Sequence, residues 1–373
     1  MCVDRIKDKE NYFKGCLIGG AIGDALGYAV EFYSYDRITD KYGPQGIRKF
    51  DLSRSEKALI SDDTQMTLFT ANGILAGETY SALTGVEIAP HEFVYKAYLD
   101  WLTTQGYHAH KTDKRISWLM GIPQLLTRRA PGNTCISSLL SGEKRSLSKP
   151  INTSKGCGAV MRIAPFGLFY GGKDDDGFLT EAMEIGALTH SHPLSHYACA
   201  LVSDIIGRII YGKSNNENYD TLIGVIEDAV KNVCHKVRLP YGERFEKSVY
   251  KAINLSKNDR SDVENVTELG EGWVAEETVA IAIYCAIKYQ NDPIEGMIAA
   301  VNHGGDSDST GAVAGNILGA WNGYAAFPKE FVNNLEISNV IEEIAVDLVR
   351  GTDLFKDFKV LTADWLKKYD LCR

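Results

Sequence analysis

Gly15-Cys16-Leu17-Ile18-Gly19-Gly20-Ala21-Ile22-Gly23-Asp24-Ala25-Leu26-Gly27 holds glycine at every fourth position: 15, 19, 23 and 27. On an α-helix that spacing gathers the four glycines into one smooth ridge. Glycine is a poor helix former, so a helix keeping such a ridge must recover the loss through close approach of another backbone. The same spacing returns at Gly311, Gly315, Gly319 and Gly323. Two buried, tightly packed helices near the two ends of the chain are therefore predicted. The stretch is neither a dinucleotide fingerprint nor a phosphate loop, because it lacks both G-x-G-x-x-G and G-x-x-x-x-G-K-[ST].

Directly before the second ridge stands His303-Gly304-Gly305-Asp306-Ser307-Asp308-Ser309-Thr310-Gly311. Two carboxylates one residue apart, followed by hydroxyls and flanked by glycine, suit a hard divalent cation such as Mg²⁺, Mn²⁺ or Ca²⁺. The same residues before an apolar run also describe a helix N-cap. An EF-hand is rejected, since Ile317 stands where its loop needs a bidentate Glu. Ser61-Asp62-Asp63-Thr64 repeats the theme, a hydroxyl and two acids opening a helical pattern. Acids at a helix start favour the macrodipole, so capping again competes with metal binding. The two clusters are read either as opposite halves of one two-metal site or as two separate caps. Glu31, two helical turns beyond Asp24, reads on residue type alone as a solvated surface charge.

Ser154-Lys155-Gly156-Cys157-Gly158-Ala159-Val160-Met161-Arg162 places a glycine turn before an apolar helix, an arrangement able to offer backbone N–H groups to phosphate. His190, His192 and His196 form the one dense histidine group. Zinc is disfavoured there, because Pro193 interrupts the spacing and no Cys or H-E-x-x-H accompanies it. Residues 91–126 read as helical, with core aromatics Phe93, Tyr95, Tyr98, Trp101 and Trp118. Residues 130–155 and 255–272 read as long polar loops. Helices are expected at 274–290, 294–302, 337–350 and 358–369, and convincing strand alternation is missing.

The expected fold class is all-α, a compact helical bundle formed as one domain over 1–373. Its motif-bearing core would be 15–323, with C-terminal helices in 328–373. At 373 residues, 45% hydrophobic and 24% charged, the chain has ordinary globular composition. A net charge of −9 disfavours a general nucleic-acid binder. Eight scattered cysteines without a C-x-x-C pair, a polar N-terminus and no long apolar run point to a soluble cytoplasmic protein, away from the membrane.

Taken together, Gly23-Asp24-Ala25-Leu26-Gly27 with Glu31, Ser61-Asp62-Asp63-Thr64, Gly156 through Arg162, and Gly304 through Ser309 resemble the ordered motifs of the ADP-ribosylglycohydrolase family. The resemblance runs from about Gly15 to Gly323. It implies a cleft holding two Mg²⁺ or Mn²⁺ ions, with Ser61, Asp62 and Asp63 ligating from one side and Asp306, Asp308 and Ser309 from the other. Serine stands at 61 and 309 where the family usually carries Thr, which keeps the hydroxyl oxygen. Glu31, Asp62 and Asp306 become the candidate catalytic carboxylates. Ser154, Lys155, Gly156, Cys157, Gly158, Ala159, Val160, Met161 and His190 become the candidate substrate-binding residues. Cys157 departs from the Asn of several eukaryotic relatives.

The implied reaction is metal-dependent removal of ADP-ribose from a modified protein side chain, arginine first. Serine linkage, O-acetyl-ADP-ribose and a modified nucleic-acid end are the alternatives within the class. The implied partner is an ADP-ribosylated protein, with a cognate ADP-ribosyltransferase as a second. An immunity or antitoxin protein and a non-catalytic ADP-ribose binder are the rival classes. The four metal-site aspartates argue against the non-catalytic one.

Overall fold

The computed structural model of the protein describes residues 8–53, 55–107, 114–143, 145–172, 177–212, 221–354 and 360–370. Among these, seventeen α-helices follow one another: α1 (Lys9–Tyr28), α2 (Tyr35–Tyr42), α3 (Asp62–Thr84), α4 (Pro90–Thr104), α5 (Asn133–Leu140), α6 (Ala164–Tyr170), α7 (Phe178–Ala187), α8 (Pro193–Tyr211), α9 (Leu222–Lys236), α10 (Gly242–Leu255), α11 (Asp262–Leu269), α12 (Ala275–Lys288), α13 (Pro293–Val301), α14 (Ser307–Asn322), α15 (Lys329–Asn334), α16 (Ser338–Gly351) and α17 (Ala363–Tyr369). Extended pairing among the described residues is confined to three isolated bridges, Ala58 with Leu335, Ser146 with Lys149 and Gly156 with Val274. The all-α expectation is met. None of the described helices is long and apolar enough to cross a membrane.

The two glycine ridges do meet. Helices α1 and α14 run antiparallel, with Gly15 against Gly319, Gly19 against Gly315, Gly23 against Gly311 and Gly27 against Ser307. A Cβ added at Gly15 would lie 2.6 Å from the Gly323 carbonyl carbon and 2.7 Å from the Tyr324 nitrogen. Backbone therefore touches backbone along the whole pair, and only glycine permits it. Asn316 crosses the seam, its Nδ2 donating to the Cys16 carbonyl at 2.8 Å. Helices α12, α13, α16 and α3 pack around this pair. A second close approach joins α3 to α4, where a side chain at Gly73 would come within 2.6 Å of Val94 Cα.

Four expectations need correcting. The helix read over 91–126 stops at Thr104, where Gly106 takes a positive φ of 84°. Residues 108–113 of that expectation lie outside the described residues. Beyond them Asp100 accepts the Ile116 and Ser117 N–H groups, each at 2.8 Å, and the chain forms the 3₁₀ turns Trp118–Gly121 and Pro123–Leu126. The 130–155 loop contains α5, whose Cys135, Ile136 and Leu139 are buried. The 255–272 loop contains α11, opened by a full capping box between Ser261 and Glu264. Both helices are only eight residues long, so their hydrophobic period is hidden. The last helix begins at Ala363, after the Thr362 cap, and residues 358–359 of the 358–369 expectation lie outside the described residues.

Candidate metal centre

The antiparallel α1/α14 pair carries the C-terminal end of α1 to the N-terminus of α14. Asp24, fully buried on α1, reaches across to the N-terminus of α3. Its Oδ1 and Oδ2 accept the Ser61 N–H at 3.0 and 3.1 Å, and Oδ2 also accepts the Thr64 N–H at 3.1 Å and the Thr64 hydroxyl. One carboxylate thus fixes α3 to α1. Ser61 is the N-cap of α3, its Oγ accepting the Asp63 N–H at 3.1 Å. Asp306 is the N-cap of α14, its Oδ1 accepting the Ser309 N–H at 3.4 Å. The capping reading is thus correct for both motifs, yet it leaves most of their carboxylate oxygens for another use.

Those oxygens converge. Glu31 lies in the turn after α1 and is only 8% exposed, so it is not the solvated charge its residue type suggested. Oxygens of Glu31, Asp306 and Asp308 lie within 4.8 Å of one another. The two halves feel each other's charge, Asp308 being the largest influence after burial on both Asp62 and Asp63. Asp62 and Asp63 are buried beside them, and the Gly132 N–H donates to Asp62 Oδ2 at 3.2 Å.

Burial, and for all but Asp308 mutual repulsion, push these acids upward. Asp24 is raised to about 7 by burial and by Asp308. Glu31 is raised to about 11 by burial, then Asp308, Asp306 and Asp62. Asp62, Asp63 and Asp306 are held well above the usual carboxylate range for the same reasons, and Asp308 is raised by burial. No Lys or Arg is among the principal influences on any of them.

Buried acids without a cation are costly. Glu31 Oε2 and Asp63 Oδ2 are also buried without a hydrogen-bond partner. Two helix N-termini, those of α3 and α14, add positive potential but no full charge. An all-oxygen donor set with orphaned carboxylate oxygens fits hard divalent cations.

The 154–161 segment adjoins this centre. The Cys157 thiol donates to Asp306 Oδ2 at 2.7 Å, and burial followed by the Asp306 and Asp63 charges holds the thiol well above its ordinary pKa. Ser309 Oγ faces Met161 Sδ at 3.9 Å. Several main-chain groups of the segment are already engaged: Gly156 N–H with Ser154 Oγ, Cys157 N–H with the Trp273 carbonyl, Val160 and Met161 N–H with the Cys157 carbonyl. The Lys155 ammonium pairs with Glu276, which Arg244 also approaches at 3.2 Å. Ala159, Val160 and Met161 are buried in the core.

His190 sits beneath the turn, so that a Cβ on Gly156 would lie 3.1 Å from its Nε2 and one on Gly158 would lie 3.0 Å from its Cε1. Burial and Arg162 push it down to about 3, and Thr189 Oγ1 lies 2.8 Å from Nδ1. The three histidines do not converge. His192 Nδ1 accepts the Leu194 N–H, and His196 Nε2 meets the His190 carbonyl at 3.0 Å.

Asp24 and Arg162 carry more of the site than sequence reasoning gave them. A carboxylate in the middle of a glycine ridge was the available signal for Asp24. Arg162 is fully buried behind the 156–158 turn, donating to Thr189 Oγ1 at 2.6 Å and to the sulfurs of Met66 and Cys135. Its charge thus faces neutral partners, with the Tyr98 ring 4.3 Å away.

Comparison with known proteins bears on this site. The family described as ADP-ribosylglycohydrolase matches residues 5–356. An uncharacterized protein of Archaeoglobus fulgidus is 28% identical over 91% of this chain and 96% of its own. The mouse ADP-ribosylhydrolase ARH3 is 25% identical, covering 91% of each chain. The ADP-ribosyl-[dinitrogen reductase] glycohydrolase of Rhodospirillum rubrum is 24% identical over 87% of this chain and 90% of that one. Among solved structures, an ADP-ribosylglycohydrolase-related protein complex superposes with a TM-score of 0.53 at 21% identity, covering 93% of this chain and 99% of that one.

Proposed function

The chain belongs to the ADP-ribosylglycohydrolase family, and from that premise we propose that it cleaves the glycosidic bond between ADP-ribose and a modified arginine side chain. The observation that carries the reading is the buried acidic centre. Oxygens of Glu31, Asp306 and Asp308 lie within 4.8 Å of one another there. Asp62 and Asp63 at the start of α3 are buried and feel the Asp308 charge, and two carboxylate oxygens, Glu31 Oε2 and Asp63 Oδ2, lack any hydrogen-bond partner. The Rhodospirillum relative, whose name is ADP-ribosyl-[dinitrogen reductase] glycohydrolase, supports a protein-linked substrate.

In this reading Ser61, Asp62, Asp63, Asp306, Asp308 and Ser309 hold two Mg²⁺ or Mn²⁺ ions. The ions supply Lewis acidity, orienting ribose hydroxyls and making a water more acidic. The protein does the rest. Asp24 fixes the 61–64 turn, so the ligands of α3 meet those of α14 without rearrangement. Glu31, Asp62 and Asp306 are the carboxylates placed to take a proton from the attacking water. Their negative charge favours the positive charge that develops on the sugar as the anomeric bond lengthens. Ser154 through Met161 border the diphosphate, with the Arg162 charge behind the turn favouring an anion in front of it. His190 packs against Gly156 and Gly158 from below, and so acts as a positioning residue for that turn.

The test is release of free ADP-ribose from arginine- and serine-ADP-ribosylated proteins with Mg²⁺, Mn²⁺ or EDTA, alongside Asp306→Ala. Metal-dependent release from the arginine substrate, lost in the variant, is expected. Release from the serine substrate alone would reassign the linkage. Neither release nor ADP-ribose binding would overturn the function.

A further inference from the structure

Two large aromatic side chains stand exposed beside the acidic centre, and the reading so far gives them no role. Phe32 is 69% exposed and Trp273 is 39% exposed, their rings stacked at 6.1 Å between centroids with planes 20° apart. They come from segments far apart in sequence, and each segment is tied to the centre. Phe32 follows Glu31 directly. Glu271, two residues before Trp273, accepts the Asp306 N–H through its carbonyl at 2.8 Å, while the Trp273 carbonyl accepts the Cys157 N–H at 3.3 Å.

The Trp273 segment is also held from behind. Glu277 accepts the Glu271 and Gly272 N–H groups at 3.1 and 3.3 Å, and Thr278 Oγ1 donates to the Gly272 carbonyl at 2.7 Å. A tryptophan on so fixed a backbone, with its ring left in water, is placed for contact with a ligand.

We propose that Phe32 and Trp273 form an aromatic clamp that selects a planar cationic leaving group, the guanidinium of the modified side chain. The inference rests on the proposed hydrolase function and specifies its substrate. Phe32 directly follows Glu31, whose carboxylate lies within 4.8 Å of those of Asp306 and Asp308, and Trp273 is tied through its segment to Asp306. Rings anchored so close to the centre that cleaves the anomeric bond are placed for the substituent on the anomeric carbon. The adenine lies beyond a diphosphate and a second ribose. Aromatic faces are negative, so a planar cation is favoured over a neutral hydroxyl. The protein already makes this pairing next door, where the Arg37 guanidinium lies 3.8 Å over the Tyr33 ring.

The test compares wild type, Phe32→Ala, Trp273→Ala and Trp273→Phe in the Mn²⁺-loaded protein. Readouts are kcat/KM on arginine- and serine-linked substrates, ADP-ribose affinity by calorimetry, and methylguanidinium binding to the ADP-ribose-loaded protein by saturation-transfer NMR. Each alanine variant is expected to lose about threefold to fivefold in kcat/KM on the arginine substrate and to lose methylguanidinium binding. ADP-ribose affinity and serine-substrate turnover should hold, and Trp273→Phe should retain most of the effect. Equal losses on both linkages, or weakened ADP-ribose binding, would overturn the clamp and place the rings against the nucleotide. Unchanged methylguanidinium binding in Trp273→Ala would overturn it too, even if neither substrate is cleaved. Absence of turnover in wild type would instead count against the hydrolase reading.

Discussion

Replacing Gly19 with alanine tests the packing that builds the site. The new methyl group would overlap the Gly315 carbonyl oxygen and lie 2.9 Å from Phe327 Cζ, where ordinary contact begins at 3.4 Å. Phe327 can move, but the carbonyl belongs to the partner helix, so α1 and α14 must separate. Overpacking of this kind costs about 3 kcal/mol when backbone rather than a rotamer has to yield. Alanine returns about 1 kcal/mol of helix propensity. The net expectation is a loss of about 2 kcal/mol. Gly77→Ala in α3 is the control, since its added methyl meets only the Phe93 side chain, at 3.2 Å and beyond. There the gain in propensity should offset the contact to within about 1 kcal/mol. Urea unfolding of both variants measures the difference, and Mn²⁺ titration follows the site. Gly19→Ala should also bind Mn²⁺ more weakly, because Asp24 and Asp306 ride on the separated helices. A Gly19→Ala protein as stable as Gly77→Ala, with unchanged Mn²⁺ affinity, would refute the backbone-contact reasoning.

Asp24→Ala removes the acceptor of the Ser61 and Thr64 N–H groups and should cost about 3 kcal/mol or more in urea unfolding. It should also weaken Mn²⁺ binding, although Asp24 is not one of the proposed ligands. Gly158→Ala would press on Cys135 Sγ at 2.9 Å and on His190, so its ADP-ribose affinity by calorimetry should fall while Mn²⁺ affinity holds.

For pH, the sign follows from raised carboxyl pKa values. The metal-free folded protein keeps protons that the unfolded chain has released above about pH 4 to 5, so its stability falls as pH rises. Buried His190, His196 and His303 are pushed below their ordinary value, to about 3, 4 and 4. They act in the opposite sense, but only below about pH 6.5. Between pH 7 and 9 the chelated protein should therefore lose about 1.4 kcal/mol per pH unit for each carboxyl still protonated, Glu31 first. Thermal melts in EDTA and in Mg²⁺ check this, and Mg²⁺ should flatten the slope. A chelated protein that gains stability across that window would contradict the account of the cluster.

The fold was legible where a packing demand writes itself into every fourth residue. Gly15, Gly19, Gly23 and Gly27 of α1 and Gly311, Gly315 and Gly319 of α14 lie in backbone contact, so their spacing announced both helices and their pairing, while Gly323 caps α14 at a φ of 80°. The motifs at 61–64 and 304–309 were legible for a similar reason, because hydroxyl–acid clusters at helix starts are chemically conspicuous. What sequence could not weigh was burial. Glu31 looks like a surface acid until the turn after α1 folds it against Asp306 and Asp308. Asp24 reads as one polar residue in an apolar helix, and only the approach of α3 makes it an external cap. Lys155 resembles a phosphate ligand until Glu276 and Arg244 arrive from other helices. Helices α5 and α11 escaped because eight residues hold little more than two turns of periodicity, although the Ser261–Glu264 capping box was present to be read.

Mn²⁺ stoichiometry in wild type and Asp63→Asn is the most direct test of a divalent centre built from two helix N-termini. Asp63 Oδ2 has no hydrogen-bond partner to lose, so the isosteric variant should fold as wild type does. Calorimetric titration should find two ions per chain in wild type and weakened or lost binding in Asp63→Asn, with the metal-free melts unchanged. Specific Mn²⁺ binding that is absent in wild type, or that survives Asp63→Asn undiminished, would contradict the assignment of this cluster as the metal centre.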